Sequence, residues 1–118
     1  MPMTKSSARD LFPGALEMMI LQSLRRQPAH GYALVQHIQQ RSNNLLQVEE
    51  GSLYPALHRL IKRRWISVEE GTSENNRRAK FYALTSKGKQ QLAVEIGRWD
   101  KLARAIAQIL RPGEQEEA

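Results

Sequence analysis

The stretch Gly51-Ser-Leu-Tyr-Pro-Ala-Leu-His-Arg-Leu-Ile-Lys-Arg63 decides the fold of this 118-residue chain. Its apolar residues recur at the spacing of one helix face and are Leu53, Leu57, Leu60 and Ile61. The other side is polar and cationic and carries Ser52, Pro55, His58, Arg59, Lys62 and Arg63, with Tyr54 and Ala56 at the borders. Such a two-sided helix suits the major groove of a nucleic acid. A solvated helix on the surface of a globular domain is the alternative interpretation.

Pro55 predicts where this helix begins. A proline inside a helix removes a backbone hydrogen bond, whereas the N–H groups of the first turn have no partner within the helix. The sequence therefore predicts a helix that begins near Gly51 or Ser52, with Ser52 as the N-cap residue.

The net charge of the chain is +6, and the whole excess lies within residues 51–90. The cationic residues of that segment number nine and are Arg59, Lys62, Arg63, Arg64, Arg77, Arg78, Lys80, Lys87 and Lys89. Its acidic residues number three, Glu69, Glu70 and Glu74, so nine minus three gives the full +6. Positive charge confined to one helix and the segment after it favours a polyanionic partner.

Composition excludes several classes of protein. The chain contains no cysteine, so it can form neither a disulfide framework nor a thiolate metal site, and we expect a reducing, cytoplasmic compartment. Apolar runs such as Met18-Met-Ile-Leu21 are too short for a membrane span or the core of a signal peptide. The length predicts one domain with its own hydrophobic core.

The order of the predicted elements is that of a winged helix-turn-helix. Helices are predicted over about residues 14–26, with Pro13 and Gly14 at the start, over 31–41, and over the stretch quoted above. The second helix is expected to bury Tyr32, Leu34, Val35 and Ile38. Residues 66–70 alternate like a strand, residues 71–76 favour a turn, and residues 78–84 are typical of the returning strand of a hairpin.

The last predicted helix, over residues 86–110, carries an apolar seam. Its members are Leu92, Ile96, Trp99, Ala103, Ile106 and Leu110, spaced 4, 3, 4, 3 and 4 residues apart. That spacing is typical of a coiled coil and needs a partner helix, which we expect to come from a second copy of the chain. Glu95 and Arg98 can form an ion pair on the exposed side.

The predicted fold class is therefore mainly α with a small β-wing, a winged helix-turn-helix followed by a C-terminal dimerisation helix. The predicted division is a flexible N-terminus at 1–10, a DNA-binding domain at 11–85, a dimerisation helix at 86–111 and a disordered acidic tail at 112–118.

Four stretches resemble the PadR family of bacterial transcriptional regulators in its short form. They are Pro13-Gly-Ala-Leu-Glu-Met-Met-Ile-Leu21, His30-Gly-Tyr-Ala-Leu34, Gly51-Ser-Leu-Tyr-Pro-Ala-Leu-His-Arg-Leu60 and Arg77-Arg-Ala-Lys-Phe-Tyr-Ala-Leu-Thr-Ser-Lys-Gly88. The resemblance implies a homodimeric winged-helix protein that binds double-stranded DNA, usually as a repressor. It also implies that the third helix enters the major groove and that the wing lies along the backbone or minor groove.

The resemblance assigns individual residues to these roles. Ser52, Tyr54, Pro55, His58, Arg59 and Lys62 match the recognition helix, Arg77, Arg78 and Lys80 match the wing, and Tyr32 matches a tyrosine near the DNA. Arg63, on the same cationic side, completes the predicted DNA-binding residues. Among them we expect Ser52, His58 and Arg59 to read bases, and Tyr54 and Lys80 to contact phosphates.

Three positions depart from the family pattern, and one of them is Phe81, which stands where a tyrosine is common. Arg64 stands where a glycine is common after the recognition helix, and a left-handed conformation there would cost about 1–2 kcal/mol. Asn76 replaces the usual glycine of the wing, but asparagine adopts that conformation more readily.

Trp99 has two interpretations. It fits packing in the dimer core, and it also fits an aromatic wall of a cavity between two copies, lined by Met18 and Met19, that binds a flat hydrophobic or aromatic effector. Some short members of the PadR family that carry a tryptophan on this helix resemble this chain, and those proteins bind flat hydrophobic compounds at the tryptophan.

Other functions are weaker alternatives. A winged-helix adaptor for protein interactions would not need its charge on the recognition helix, and RNA binding would need an aromatic platform on a sheet. His30 and His37 would lie about 10 Å apart on one helix, too far to share a metal ion, so we predict no metal site. We also predict no enzyme activity and no cofactor, because no nucleophile, base and acid can be assembled.

Overall fold

The computed structural model of the protein describes residues 6–7, for which the backbone alone is considered, residues 14–111 and residue 113. Its elements in chain order are β1 (Ser6–Ser7), α1 (Ala15–Leu24), β2 (Ala29–His30), α2 (Gly31–Arg41), β3 (Leu46–Gln47), α3 (Glu50–Lys62), β4 (Ile66–Thr72), β5 (Arg78–Leu84) and α4 (Ser86–Leu110). Three predictions concern segments outside the described residues, apart from residues 6–7 and 113. They are the role of Pro13, the flexible N-terminus at 1–10 and the disordered tail at 112–118.

The core is built by the inner faces of α1, α2 and α3. Its largest fully buried members are Ile20, Leu21, Leu34, Leu53, Leu57 and Leu60. Ile66 of β4, Tyr82 of β5 and Leu92 of α4 close this cluster from the other side. Burying a large aliphatic side chain contributes about 1.5–3 kcal/mol, so this one cluster holds the three helices together.

Strands β2, β5 and β4 form one antiparallel sheet with β5 in the centre. The β4–β5 hairpin pairs from Ile66 opposite Leu84 to Thr72 opposite Arg78. β5 has the predicted bounds, whereas β4 continues two residues beyond the predicted strand. The predicted fold class, mainly α with a small β-wing, is confirmed.

Two short pairings were not predicted. β2 pairs with β5, with Ala29 opposite Tyr82 and His30 opposite Phe81, so the break between α1 and α2 joins the hairpin. β1 pairs with β3 in parallel, with Ser6 opposite Leu46. Strands of two residues carry no periodicity of their own, which is why the sequence pattern missed them.

The predicted start of α3 is wrong. The helix begins at Glu50 with Glu49 as the N-cap residue, and Pro55 lies inside it, at the sixth position rather than in the first turn. Pro55 cannot donate to the carbonyl of Gly51, but both residues are exposed, so water can satisfy that carbonyl. Because the helix begins at Glu50, the carboxylate of this residue lies in the first turn, where it interacts favourably with the helix dipole.

The junction between α3 and α4 is a compact set of backbone contacts. α3 ends in a Schellman motif, in which the N–H of Arg64 donates to the carbonyl of Ile61 at 2.9 Å and that of Trp65 to Leu60 at 3.1 Å. Arg64 has φ +64°, so the left-handed cap conformation is present at this position despite its cost for a side chain. The guanidinium of Arg63 lies 5.1 Å above the ring of Trp65.

Thr85 fastens the start of α4 to this junction. Its hydroxyl accepts from the N–H of Gly88 at 3.0 Å as the N-cap of α4. The same hydroxyl lies 2.8 Å from the carbonyl oxygen of Arg64 and 3.0 Å from that of Trp65. A Cβ added at Gly88 would overlap the carbonyl oxygen of Trp65, so only glycine allows this close approach. The orientation of α4 relative to α3 is thereby fixed.

Candidate nucleic-acid interface

One side of α3 is exposed along the length of the helix. Its residues are spaced at three, four and seven positions and are Gly51, Tyr54, Pro55, His58 and Lys62. The buried side, formed by Leu53, Ala56, Leu57 and Leu60, is at most 1% exposed. We call the exposed set the outer face of α3, and it presents an imidazole, an ammonium and a phenol without using any apolar residue that the core needs.

Ser52 does not belong to the outer face. Its side chain is 8% exposed, and its hydroxyl has no hydrogen-bond partner within the described part of the chain. The predictions that Ser52 caps the helix and that it lies on the cationic side are both wrong. The physical reason is that α1 covers this flank of α3, as the contact between Glu17 and Arg59, seven residues after Ser52, shows.

Arg59 lies on the same flank and is paired with a carboxylate. Its Nη2 donates to Oε1 of Glu17 in α1 at 3.1 Å. The Arg59 side chain is 49% exposed, whereas that of Glu17 is only 13% exposed. The structure therefore places Arg59 beside the outer face and holds it toward α1, a contact that the sequence pattern did not reveal.

Two exposed tyrosines lie where α2 begins. Tyr32 is 66% exposed, so the prediction that α2 buries it is wrong, since the first turn of α2 points away from the core. The Tyr54 hydroxyl lies so close to Gly31 that a Cβ there would come within 3.0 Å of the oxygen. Burial and, secondarily, the neighbouring Tyr54 raise the pKa of Tyr82 above its usual value. Tyr54 thus bridges the outer face and the start of α2.

His30 has a structural role at the same point. Its Nδ1 accepts from the N–H of Ala33 at 3.2 Å and so caps α2. Its ring meets the ring of Phe81 edge-on, with centroids 5.6 Å apart. Because β2 pairs with β5, this cap fixes the start of α2 beside the wing. Among the described residues, no group of three His, Cys, Asp or Glu side chains could hold a metal ion.

The wing carries three exposed cations, Arg77, Arg78 and Lys80. Its turn is closed by a hydrogen bond from the N–H of Ser73 to the carbonyl of Arg77 at 2.8 Å, and Asn76 adopts φ +58° there. Arg78 lies 3.4 Å from Glu70, but both side chains are more than half exposed, so the pair is weak. The wing thus presents three exposed cations beside the exposed carboxylates of Glu69, Glu70 and Glu74, and its turn is ordered by its own backbone.

The seam of α4 is divided between two environments. Leu92 is 3% exposed and Ile96 packs against the core of the same chain, so these two residues are covered without a partner helix. Further along, Leu102, Ile109 and Leu110 are 43%, 75% and 72% exposed. The predicted pair of Glu95 with Arg98 is confirmed at 3.7 Å.

The three residues predicted to line an effector cavity do not all meet. Met18 and Trp99 line one cavity of about 270 Å³ between α1 and α4, together with Glu95 and Leu102. Met19 lines a different groove, between α1 and α2, because it lies one residue further round α1. The expectation that both methionines share one lining is wrong.

Within residues 14–111, none of the helices is both long enough and apolar enough to cross a membrane.

Comparison with known proteins identifies the family of the chain. Residues 20–94 match the model of the transcriptional regulator PadR-like family. An uncharacterised protein of Lysinibacillus sphaericus is 31% identical over 97 residues, which cover 82% of this chain and 89% of that protein.

Solved structures show the fold as well. A transcriptional regulator from Clostridium thermocellum superposes with a TM-score of 0.79 at 24% identity, covering 86% of this chain and 99% of that one. A PadR-like transcriptional regulator from Bacillus cereus has a TM-score of 0.72 at 28% identity, covering 86% and 96%. The family is one of transcriptional regulators and not of enzymes. With a family match over more than half of its length, this chain belongs to the transcriptional regulator PadR-like family.

Proposed function

We propose that this regulator binds double-stranded DNA sequence-specifically, as a homodimer on an inverted-repeat operator, and acts as a repressor in the cytoplasm. The observation that carries the proposal is the polar and cationic outer face of α3, accompanied by the exposed Tyr32 at the start of α2 and by the exposed cations of the wing. A helix of this kind docks in the major groove while the flanking elements contact the backbone. The division at residues 11–85 and 86–111 follows from the same proposal.

The predicted residues other than Ser52 and Arg59 have a role in this arrangement. His58 and Lys62, in the second half of the outer face, are the proposed readers of base edges, and Tyr54 and Pro55 precede them on the same face. The residues assigned to phosphates are Tyr32, Tyr54, Arg63, Arg77, Arg78 and Lys80, all of which are exposed. In a dimer the two α3 helices would enter grooves about one helical turn, roughly 34 Å, apart.

The test is a competition assay on duplexes selected from a random pool. Lys62→Ala should lower affinity for the selected site by about 1–3 kcal/mol, whereas Lys80→Ala should weaken all duplexes about equally. Lys101→Ala removes the same charge from the exposed side of α4 and serves as the matched control, with no expected effect. A protein that prefers no duplex over random DNA would support the adaptor alternative instead.

The homodimer is proposed from the apolar side of α4. Trp99, Ala103, Ile106 and Leu110 continue the seam beyond the part that packs on this chain's own core, and Leu102 and Ile109 widen it. A second α4 is the simplest partner because the seam has the spacing of a coiled coil. Light scattering at micromolar concentration distinguishes a dimer from a monomer.

The last part of the proposal is a flat hydrophobic or aromatic effector in the cavity between Met18 and Trp99. Its volume of about 270 Å³ in one chain would be enlarged by a partner across the dimer axis. Such a ligand releases DNA only if it binds the released arrangement of the two wings more tightly than the DNA-bound one. Tryptophan fluorescence during titration with planar dyes, with Trp99→Ala to remove its signal from that of Trp65, tests binding. Quenching without a change in DNA affinity would contradict the release.

A further inference from the structure

The ion pair between Glu17 and Arg59 joins α1 to the helix that we propose as the DNA reader. We propose that Glu17 is a positioning residue that keeps Arg59 away from the DNA phosphates and so limits the affinity of the regulator for DNA of any sequence. This inference rests on the proposed function and adds a residue of α1 to it. It also revises the expectation that Arg59 reads bases.

Burial makes Glu17 a firm partner. Its side chain is only 13% exposed, and Arg59 Nη2 lies 3.1 Å from its carboxylate. A carboxylate that is mostly buried and loses its cation becomes an uncompensated charge, which is far less favourable than separating an exposed pair. Arg59 would therefore have to leave a charge stranded in order to reach a phosphate.

The wing provides the contrast. Arg78 and Glu70 lie 3.4 Å apart, with side chains that are 87% and 67% exposed. Water and salt screen both partners when they separate, so Arg78 can turn to DNA at little cost. Two arginines of the proposed interface are thus paired with glutamates, and only the one on α3 is held.

The position of Arg59 explains why it needs to be held. It directly follows His58, at the centre of the outer face, and its own flank also carries the buried Ser52. A free guanidinium at this edge would meet a phosphate in almost any register along the duplex. Each phosphate contact adds sequence-independent affinity through the release of counterions.

The experiment measures how binding to a random duplex depends on salt. The slope of log K against log salt changes by about 0.9 for each phosphate neutralised, hence by about 1.8 for the two chains of a dimer. Glu17→Gln should free Arg59 and steepen the slope by that amount. Affinity at 50 mM salt relative to 200 mM should then rise about twelvefold more than in the wild type.

Three further variants identify the cause. Arg59→Gln alone should leave the slope unchanged, because Arg59 does not contact DNA while Glu17 holds it. The double variant Glu17→Gln with Arg59→Gln should return to the wild-type slope, because it lacks the guanidinium that makes the new phosphate contact. Asp100→Asn, on the exposed side of α4, adds the same charge as Glu17→Gln and should not steepen the slope.

Several results would overturn the inference. A shallower slope for Arg59→Gln than for the wild type would mean that Arg59 leaves Glu17 when DNA binds. This measurement tests the inference even if Glu17→Gln does not fold. An unchanged slope for a folded Glu17→Gln, or a double variant as steep as Glu17→Gln, would do the same. If the wild type binds no duplex, the proposed function itself fails; if it binds and only these variants deviate, the role of Glu17 alone is lost.

Discussion

Helices α3 and α4 are both amphipathic, yet they leave different surfaces exposed. The apolar side of α3 is buried in the core of its own chain, since Leu53, Ala56, Leu57 and Leu60 are at most 1% exposed. The second half of α4 keeps Ile109 and Leu110 exposed at 75% and 72%. What α3 has left for a partner is polar and cationic, and what α4 has left is apolar. The surface that remains exposed after folding, rather than amphipathicity itself, therefore indicates the kind of partner each helix can bind.

The apolar side of α4 is itself divided into a part that packs on the core of this chain and a part that stays exposed. Its first apolar residue, Leu92, belongs to the core of this chain, and Ile96 packs against that core. Ile109 and Leu110, at the end of the helix, are its most exposed large apolar residues and have less of this chain to pack on. One uninterrupted seam in the sequence therefore serves two packing surfaces in the structure.

The largest effect is expected where α3 enters the core. Leu57→Asp would bury a charge at a position that is 1% exposed, in a cluster of aliphatic side chains with no cation to pair with it. We expect loss of the folded state, seen as loss of helical circular dichroism and of a cooperative thermal transition. A cooperative transition near that of the wild type would show that the core tolerates a charge on this side of α3.

The same substitution in α4 should separate association from folding. Ile106→Asp places a charge on the apolar side beyond the region that packs on this chain, so the dimer should dissociate while the winged-helix core remains folded. Gln108→Asp introduces a carboxylate on the opposite, exposed side of the same turn and should leave the dimer intact. Light scattering and circular dichroism on both variants measure the two properties independently. A dimeric Ile106→Asp protein would place the interface elsewhere.

Much of the fold could be predicted from local pattern. α2 and β5 have the predicted bounds because each begins and ends in residues with clear chemistry, such as the cap of α2 at His30 and the turn before Arg78. The fold class followed from three segments with helical periodicity, one hairpin with alternating residues and the Leu-Tyr-Pro-Ala-Leu sequence around Tyr54. Periodicity suffices where an element packs on one side only.

What the sequence did not reveal depends on contacts between distant segments. Ser52 was placed on the cationic side because nothing in its own helix shows that α1 covers that flank. The pair of Glu17 with Arg59 spans 42 residues and has no periodic signal. β2 exists only because β5 offers a partner for its two residues. Met18 and Met19 are adjacent in sequence, and only the placement of α2 and α4 separates their surroundings.

The start and the middle of α4 differ in their tolerance of a methyl group. Gly88→Ala forces a Cβ against the carbonyl oxygen of Trp65, so the junction between α3 and α4 must open, at about 1–3 kcal/mol or more. Gly97→Ala meets nothing within 4 Å and should stabilise the helix by about 1 kcal/mol. Chemical denaturation at one fixed protein concentration measures both, since association contributes to stability. A destabilised Gly97→Ala protein would indicate that a second copy packs closely at Gly97.

The smallest effect is expected at Arg64, where α3 ends. Its φ of +64° is unfavourable for a side chain by about 1–2 kcal/mol. Glycine removes that cost but loses more backbone entropy on folding, by about 0.5–1 kcal/mol, so Arg64→Gly should stabilise the protein by roughly 0.5–1 kcal/mol. Arg63→Gly, one residue earlier at φ −79°, gains nothing from glycine and gives up the contact with Trp65, so it should destabilise the protein by about 1 kcal/mol. Urea denaturation of the two variants compares these signs directly. If both variants shift stability in the same direction, the cost at Arg64 is offset by a contact of its own side chain, and the end of α3 is held by more than its backbone.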